Sequence, residues 1–232
     1  PDGVLPRATD YLVHPALSDV IGRINSSYLD RIERVTIVGY NRPWREASSE
    51  ANVPTVRTLC VLKGDIYGFG ALMRAGTDGP VRKALEESVK RNGQGAVCAE
   101  AGAGDSVLIA HEDPTALAQT ARHLIDEVYG APGQPRLRVA LHYGQVHVRQ
   151  HVGGGPASIG GGEAILLATR VEPRVDPGQI WATEEFRQQL FQRPSLWRTT
   201  LVPGPGAADS FNIKKEGGVE PDLWVRLYRL EF

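Results

Sequence analysis

Leu59-Cys60-Val61-Leu62-Lys63-Gly64-Asp65-Ile66-Tyr67-Gly68-Phe69-Gly70-Ala71-Leu72-Met73 is the stretch that decides the fold. Residues 59–62 form an apolar run with β-favouring residues, the pattern of a buried strand. The run ends at an acidic residue, Asp65. Gly68 and Gly70 follow, and a glycine turn lets backbone N–H groups approach a ligand closely. Residues 71–73 then open a helix. Strand, carboxylate, glycine turn and helix start together suit a metal-held polyphosphate. An ordinary tight turn with a solvent-facing Asp is written in the same letters, so a second feature is needed.

That feature is Ala99-Glu100-Ala101-Gly102-Ala103-Gly104-Asp105-Ser106-Val107-Leu108-Ile109-Ala110. It reads as a Gly-Asp hairpin tip leading into a core strand. Asp65 and Asp105 both stand at strand-edge turns, where two carboxylates can share one or two hard divalent cations. Mg²⁺ and Mn²⁺ take oxygen ligands, and Mg²⁺ is usually held by one or two carboxylates plus substrate phosphates. No His or Cys cluster has zinc spacing.

With these two motifs go Leu137-Arg138-Val139-Ala140-Leu141-His142-Tyr143-Gly144-Gln145-Val146, Ala168-Thr169-Arg170-Val171-Glu172 and Pro177-Gly178-Gln179-Ile180. In this order and with these gaps, the chain from about Arg57 to its C-terminus resembles class III nucleotidyl cyclase catalytic domains. The resemblance implies an α+β sandwich, with a ferredoxin-type βαββαβ core and helices packed on a mixed or antiparallel sheet. It implies a head-to-tail homodimer with active sites at the interface. The reaction would cyclise a nucleoside triphosphate to a 3′,5′-cyclic monophosphate with loss of pyrophosphate. Two divalent cations, Mn²⁺ or Mg²⁺, would be held by Asp65, Asp105 and the backbone carbonyl of Ile66. The amides of Tyr67, Gly68, Phe69 and Gly70 would cradle phosphates. Arg170 falls at the family's phosphate-contacting arginine, and Lys214 or Lys215 at its C-terminal lysine. A surface ion pair and a solvated lysine pair are the plainer readings of those three.

The base-reading half departs from the family. The base-selecting Lys or Glu position is Ala101, with Glu100 adjacent. The second base-selecting position falls at about Ile159, next to Ser158, and the helix asparagine is replaced by Leu166. Apolar side chains neither donate to nor accept from a purine edge, so discrimination by hydrogen bonding is lost there. In this respect the chain resembles the bacterial uridylate and cytidylate cyclases of antiphage defence. Lys63, Ala103 or Ser158 would then meet a pyrimidine. A purine cyclase with an unusual pocket and a catalytically silent nucleotide-binding regulator are the alternatives.

The remaining sequence fits one such domain. Of 232 residues, 41% are apolar and 23% charged, an ordinary globular composition. A net charge of −1 gives no electrostatic footprint for nucleic acid or an anionic membrane. The four tryptophans are scattered and form no stacking platform. No apolar run approaches the roughly 18 residues of a membrane span, and no signal peptide is visible. Cys60 and Cys98 sit in apolar strand-like runs and read as buried free thiols of a reducing cytoplasm. Residues 1–50 are expected to be an N-terminal helical extension, with an amphipathic helix over 17–37 and a polar loop over 41–52. Residues 51–232 are expected to be the catalytic domain.

Within that domain the patterns predict strands over 55–63, 95–99, 106–111, 136–148 and 179–182. They predict helices over 77–91, 114–129, 163–171 and 184–191, a glycine-rich loop over 153–162, and a closing hairpin of 211–215 with 223–230. Thr183 is expected to cap the helix after it. His142 is expected to be a hydrogen-bonded core residue.

Overall fold

The computed structural model describes residues 54–102, 104–128, 136–149, 157–192, 196–213 and 222–232. The expectations for residues 1–50, Ala103, Lys214 and Lys215 therefore fall outside the described residues.

The chain forms β1 (Thr55–Tyr67), α1 (Phe69–Ala75), α2 (Gly79–Asn92), β2 (Cys98–Ala101), β3 (Ser106–His111) and α3 (Pro114–Val128). It continues with β4 (Arg136–Arg149), β5 (Ser158–Gly161), α4 (Glu163–Val171), a 3₁₀ turn (Glu172–Arg174), β6 (Ile180–Thr183) and α5 (Glu184–Leu190). Then come β7 (Arg198–Leu201), β8 (Ser210–Asn212) and β9 (Trp224–Glu231). The strands lie in the order β2-β3-β1-β4-β6-β9-β7, with β5 paired to β4 and β8 to β9. β4 and β6 run parallel, and the other pairings are antiparallel. This is the mixed-sheet α+β fold expected.

Alternation along β1 divides the sheet into two faces. Cys60, Leu62 and Ile66 enter one core with Leu85 and Val89 of α2, Leu117, Ala121 and Leu124 of α3, and Phe186 and Leu190 of α5. Leu59 and Val61 face the other way, against Ala164 and Ala168 of α4. Further along the same helix, Leu167 and Val171 pack on Ala140 and Trp181. One face thus carries α2, α3 and α5 together with Phe69 of α1, the other carries α4, and both faces of β1 are buried. That is why residues 59–62 read as an unbroken apolar run rather than an alternating one.

Three local expectations are corrected. β5 lies inside the stretch read as a glycine-rich loop; the strand signal is erased because two of its four residues are glycine. β7, with the sequence Arg-Thr-Thr-Leu, has no predicted counterpart. It is a largely exposed edge strand beside β9, so no apolar alternation marks it. Thr183 does occupy the N-cap of α5, but its side chain does not cap the helix. Its hydroxyl instead lies 2.8 Å from His142 Nδ1.

His142 is buried, as expected, and both cysteines are buried free thiols. Burial pushes the imidazole below its usual 6.5, against the opposing pull of Glu185 and Glu163. The unfolded chain therefore takes up this proton first on acidification. The neutral His142 contributes stability above about pH 6.5, and that contribution is lost as pH falls toward the lower folded value. The Tm of the wild type should accordingly drop more between pH 7.5 and 5.5 than that of His142→Gln. Equal drops, measured by calorimetry, would remove the assignment.

Candidate active site

The site is built at the end of β1. Asp65 stands between Ser106 of β3 and Arg138 of β4 in the strand register. The residue before it has to be small. A Cβ on Gly64 would come within 2.7 Å of Val107 Cγ1 and 3.4 Å of the Arg138 carbonyl, so glycine lets the three strands close up beside the carboxylate. Alternation turns Lys63 and Asp65 onto the α4 face of the sheet.

One residue on, the Ile66 N–H donates to the Asp105 carbonyl at 3.0 Å, tying the two aspartate segments together by backbone. Beyond Tyr67, Gly68 adopts a left-handed φ of 82° and is the N-cap of α1. That conformation is natural for glycine and strained for other L-residues. Phe69 turns inward and is buried with Ile66 in the first core. Burying such a ring is worth about 2–3 kcal/mol, which pins the glycine turn against the sheet. Of the amides expected to cradle phosphates, those of Gly68, Phe69 and Gly70 thus lie at a helix start, where the first N–H groups lack intrahelical acceptors, whereas Tyr67 ends β1 opposite Arg136.

The electrostatics of the site centre on Asp65. Burial raises its carboxyl above the ordinary 3.8, and the neighbouring Asp105 raises it further. Arg138 and Lys63 pull the other way; Arg138 Nη2 donates to Asp65 Oδ2 at 3.1 Å. The Arg138 guanidinium also pairs through Nε with Glu172 Oε1 and lies 5.9 Å from the centre of the Tyr67 ring. Glu172, on the turn after α4, is only 5% exposed. Its carboxyl is raised first by burial, with Arg138 opposing and Asp65 adding to the rise.

Three carboxylates therefore converge with two cations, and one of them resists ionising beside another. A hard divalent cation fits this donor set, because its charge offsets the repulsion that raises Asp65. Among the described residues, no three His, Cys, Asp or Glu side chains are grouped to hold a metal. An ion here would draw on two carboxylates, the Ile66 carbonyl and oxygens of the bound substrate.

The other expected residues that are described sit on α4, β5 and β2. Arg170 sits in the last turn of α4, one turn after Leu166. Ala164, Leu167, Ala168 and Val171 face inward, whereas Leu166 is 46% exposed. Leu166 and Arg170 thus share the outer side of the helix. The groups that act most on Asp65 are Asp105, Arg138 and Lys63; Arg170 is not among them.

Of the base-pocket candidates, Ile159 packs against the second core, on the α4 side of the sheet, as does Leu108 of β3. Ser158 is half-buried on β5. Ala101 pairs with Val107 and packs against the first core, on the opposite face. Its neighbour Glu100 is exposed, pairs with Leu108, and accepts a hydrogen bond from Cys98 Sγ at 3.0 Å. Burial and Glu100 push the Cys98 thiol up to about 12.

Two residues of this geometry, Arg138 and Glu172, stand within the motifs, but the resemblance implies no role for them. A basic residue opening a strand and an acidic one closing a helix are individually unremarkable. Only their convergence on Asp65 distinguishes them.

The fold defined here is that of class III cyclase catalytic domains. The adenylyl cyclase CyaB from P. aeruginosa superposes with a TM-score of 0.57 at 16% identity, covering 77% of this chain and 95% of that one. An adenylate cyclase from Trypanosoma brucei gives 0.55 at 18%, covering 75% and 87%. The guanylate cyclase domain of RhGC from Catenaria anguillulae, in complex with GTP, gives 0.52 at 16%, covering 78% and 97%. No protein-family model and no curated protein sequence matches the chain.

Proposed function

We propose that the chain is a nucleotidyl cyclase that converts a pyrimidine nucleoside triphosphate, UTP or CTP, to its 3′,5′-cyclic monophosphate and pyrophosphate. The observation that carries this reading is the junction of the two aspartate segments at the ends of adjacent strands, with Arg138 and Lys63 beside them. Asp65, Asp105 and the Ile66 carbonyl would hold the divalent cations. When bound, such ions favour loss of the ribose 3′-hydroxyl proton and neutralise the triphosphate.

The protein's own groups do the rest. The turn at Tyr67–Gly70 presents backbone N–H groups to phosphate oxygens. Arg138 and Lys63 keep cationic charge beside the carboxylates, where a polyanion needs it. Arg170, with Lys214 or Lys215, would meet the phosphates from the second subunit of a head-to-tail homodimer. A guanidinium suits the charge that develops on the α-phosphate and the leaving group.

The pyrimidine assignment rests on the apolar residues at the purine-reading positions. Ala101 is turned to the core, Ile159 packs on α4, and Leu166 can form no hydrogen bond through its side chain. Glu100, Lys63 and Ser158 remain as polar groups for a smaller base. By the same resemblance the product would serve as a cytoplasmic signal in antiphage defence. No described helix is long and apolar enough to cross a membrane.

Exposed Leu166 favours a second reading, a silent nucleotide-binding regulator. One experiment separates them. Purified protein with Mn²⁺ is given each of the four ribonucleoside triphosphates, and products are identified by mass spectrometry. Cyclic UMP or CMP is the expected dominant product. Cyclic AMP or GMP as the main product would replace the pyrimidine assignment with a purine cyclase. No cyclic product from any of the four would leave the silent regulator.

Glu100 gives a further check. As an exposed acceptor on the base-side strand, it is expected to read a base N–H. Glu100→Ala should lower kcat/KM for the preferred triphosphate about 10-fold and narrow its lead over the others. An unchanged substrate ranking in the same assay would take Glu100 out of the pocket.

A further inference from the structure

Arg138 is held from two sides. Its Nη2 donates to Asp65 Oδ2 at 3.1 Å, and its Nε faces Glu172 Oε1. Both atoms are buried and neither has a hydrogen-bond partner among the described residues, so the ion pair with each other is what occupies them. The two anchors differ in kind. Asp65 is a half-buried side chain at a strand end, and the proposed reaction needs its oxygens for a cation. Glu172 is 5% exposed, sits on a 3₁₀ turn closed by the Val175 N–H to its own carbonyl at 3.0 Å, and has no other use in the site.

We propose that Glu172 is a positioning residue: it holds Arg138 by its Nε edge, so that a divalent cation can take Asp65 without competing against the guanidinium for the same oxygen. This rests on the cyclase reading of the site. With Glu172 present, Arg138 keeps a carboxylate partner when Asp65 turns to the ion. Its Nη edge then stays at the mouth of the site, opposite the bound polyanion. With Glu172 neutralised, Asp65 becomes the sole carboxylate partner of a partly buried guanidinium, and the incoming ion has to displace it. Glu172 therefore acts on cation binding through Arg138, not merely as one more negative charge nearby.

A double-mutant cycle separates those two possibilities. Apparent Mn²⁺ affinity is measured by titration calorimetry, without nucleotide, for the wild type, Glu172→Gln, Arg138→Met and the double variant. Glu172→Gln is expected to weaken Mn²⁺ binding about 10-fold in the Arg138 protein and less than about 2-fold in the Arg138→Met background. An equal loss in both backgrounds would mean that Glu172 acts only as distributed charge, and would overturn the proposal.

The double variant removes both members of the buried pair and leaves Lys63 as the cation acting on Asp65, so it is expected to fold. If Glu172→Gln alone does not fold, Glu172→Asp keeps the charge but withdraws the carboxylate by one methylene. It should weaken Mn²⁺ binding about 3-fold with Arg138 present and leave it unchanged with Met at 138. Wild-type affinity in Glu172→Asp would overturn the proposal just as firmly. The readout requires no turnover. Coupling without cyclic product would sink the cyclase reading alone, and cyclic product without coupling would sink this inference alone.

Discussion

Asp65→Ala should abolish cyclisation, with a loss of at least about 10³-fold in kcat, while the protein stays folded. The size follows from the work asked of the carboxylate. It would hold cationic charge where a hydroxyl must lose its proton and a triphosphate must be neutralised, and electrostatic contributions of this kind dominate phosphoryl transfer. The fold should survive because Asp65 lies at a strand end, with its side chain 22% exposed, and its removal opens no core cavity. Arg138 keeps Glu172 as a partner.

Linkage sharpens the expectation. The folded pKa of Asp65 is raised, chiefly by burial and then by Asp105. The stability its protonated form contributes is present below about 3.8 and lost as pH rises through the higher folded value. At neutral pH the ionised carboxylate is a cost that a bound cation offsets. The metal-free variant should therefore melt at or slightly above the wild-type Tm, and the Tm rise on adding Mn²⁺ should shrink sharply. Wild-type turnover in the variant, or an undiminished Mn²⁺ shift, would remove Asp65 from the metal site.

Mixing two inactive variants should restore activity. On the proposed reading, Asp65→Ala would lack the metal half of the site and Arg170→Ala would lack the phosphate-contacting arginine. Arg170 lies on the outer side of α4, and the charges that dominate Asp65 do not include it. The proposed head-to-tail dimer would bring each subunit's Asp65 to its partner's Arg170. Random exchange makes half the dimers mixed, and each mixed dimer has one complete site of two. The ceiling is then about one quarter of wild-type activity, as the two-fold symmetry requires. Recovery toward that ceiling after co-refolding or co-expression is the expected result. No recovery, with mixed dimers verified by native mass spectrometry, would mean that Arg170 and Asp65 do not serve a shared site.

How much of this could be read in advance depended on how local the signal was. The boundaries of α2, α3, α4 and α5 fall within about two residues of their periodic patterns, because helical amphipathicity is written every three or four residues along the chain. β1 was legible as buried for a different reason: helices cover both its faces, so its apolar run is continuous. Its extension to Tyr67 was not legible. Gly64 and Asp65 are poor strand formers, and only pairing with β3 and β4 on both sides keeps them extended. β5 and β7 were missed because glycine in one and edge exposure in the other remove the periodic pattern.

For the site, residue order alone brought out Asp65, Asp105 and Arg170 and the apolar residues at Ala101, Ile159 and Leu166, since those depend on identity at a given place in a motif. The tertiary structure decided the rest. Pairing of β1 with β3 and β4 set Asp105 and Arg138 beside Asp65, and the turn after α4 carried Glu172 to the far side of the same guanidinium. The pleat turned Glu100 to the α4 side of the sheet and Ala101 into the first core. Charge repulsion, ion pairing and the choice between adjacent side chains act through space over a few ångströms, and strand register sets those distances between residues far apart in the chain.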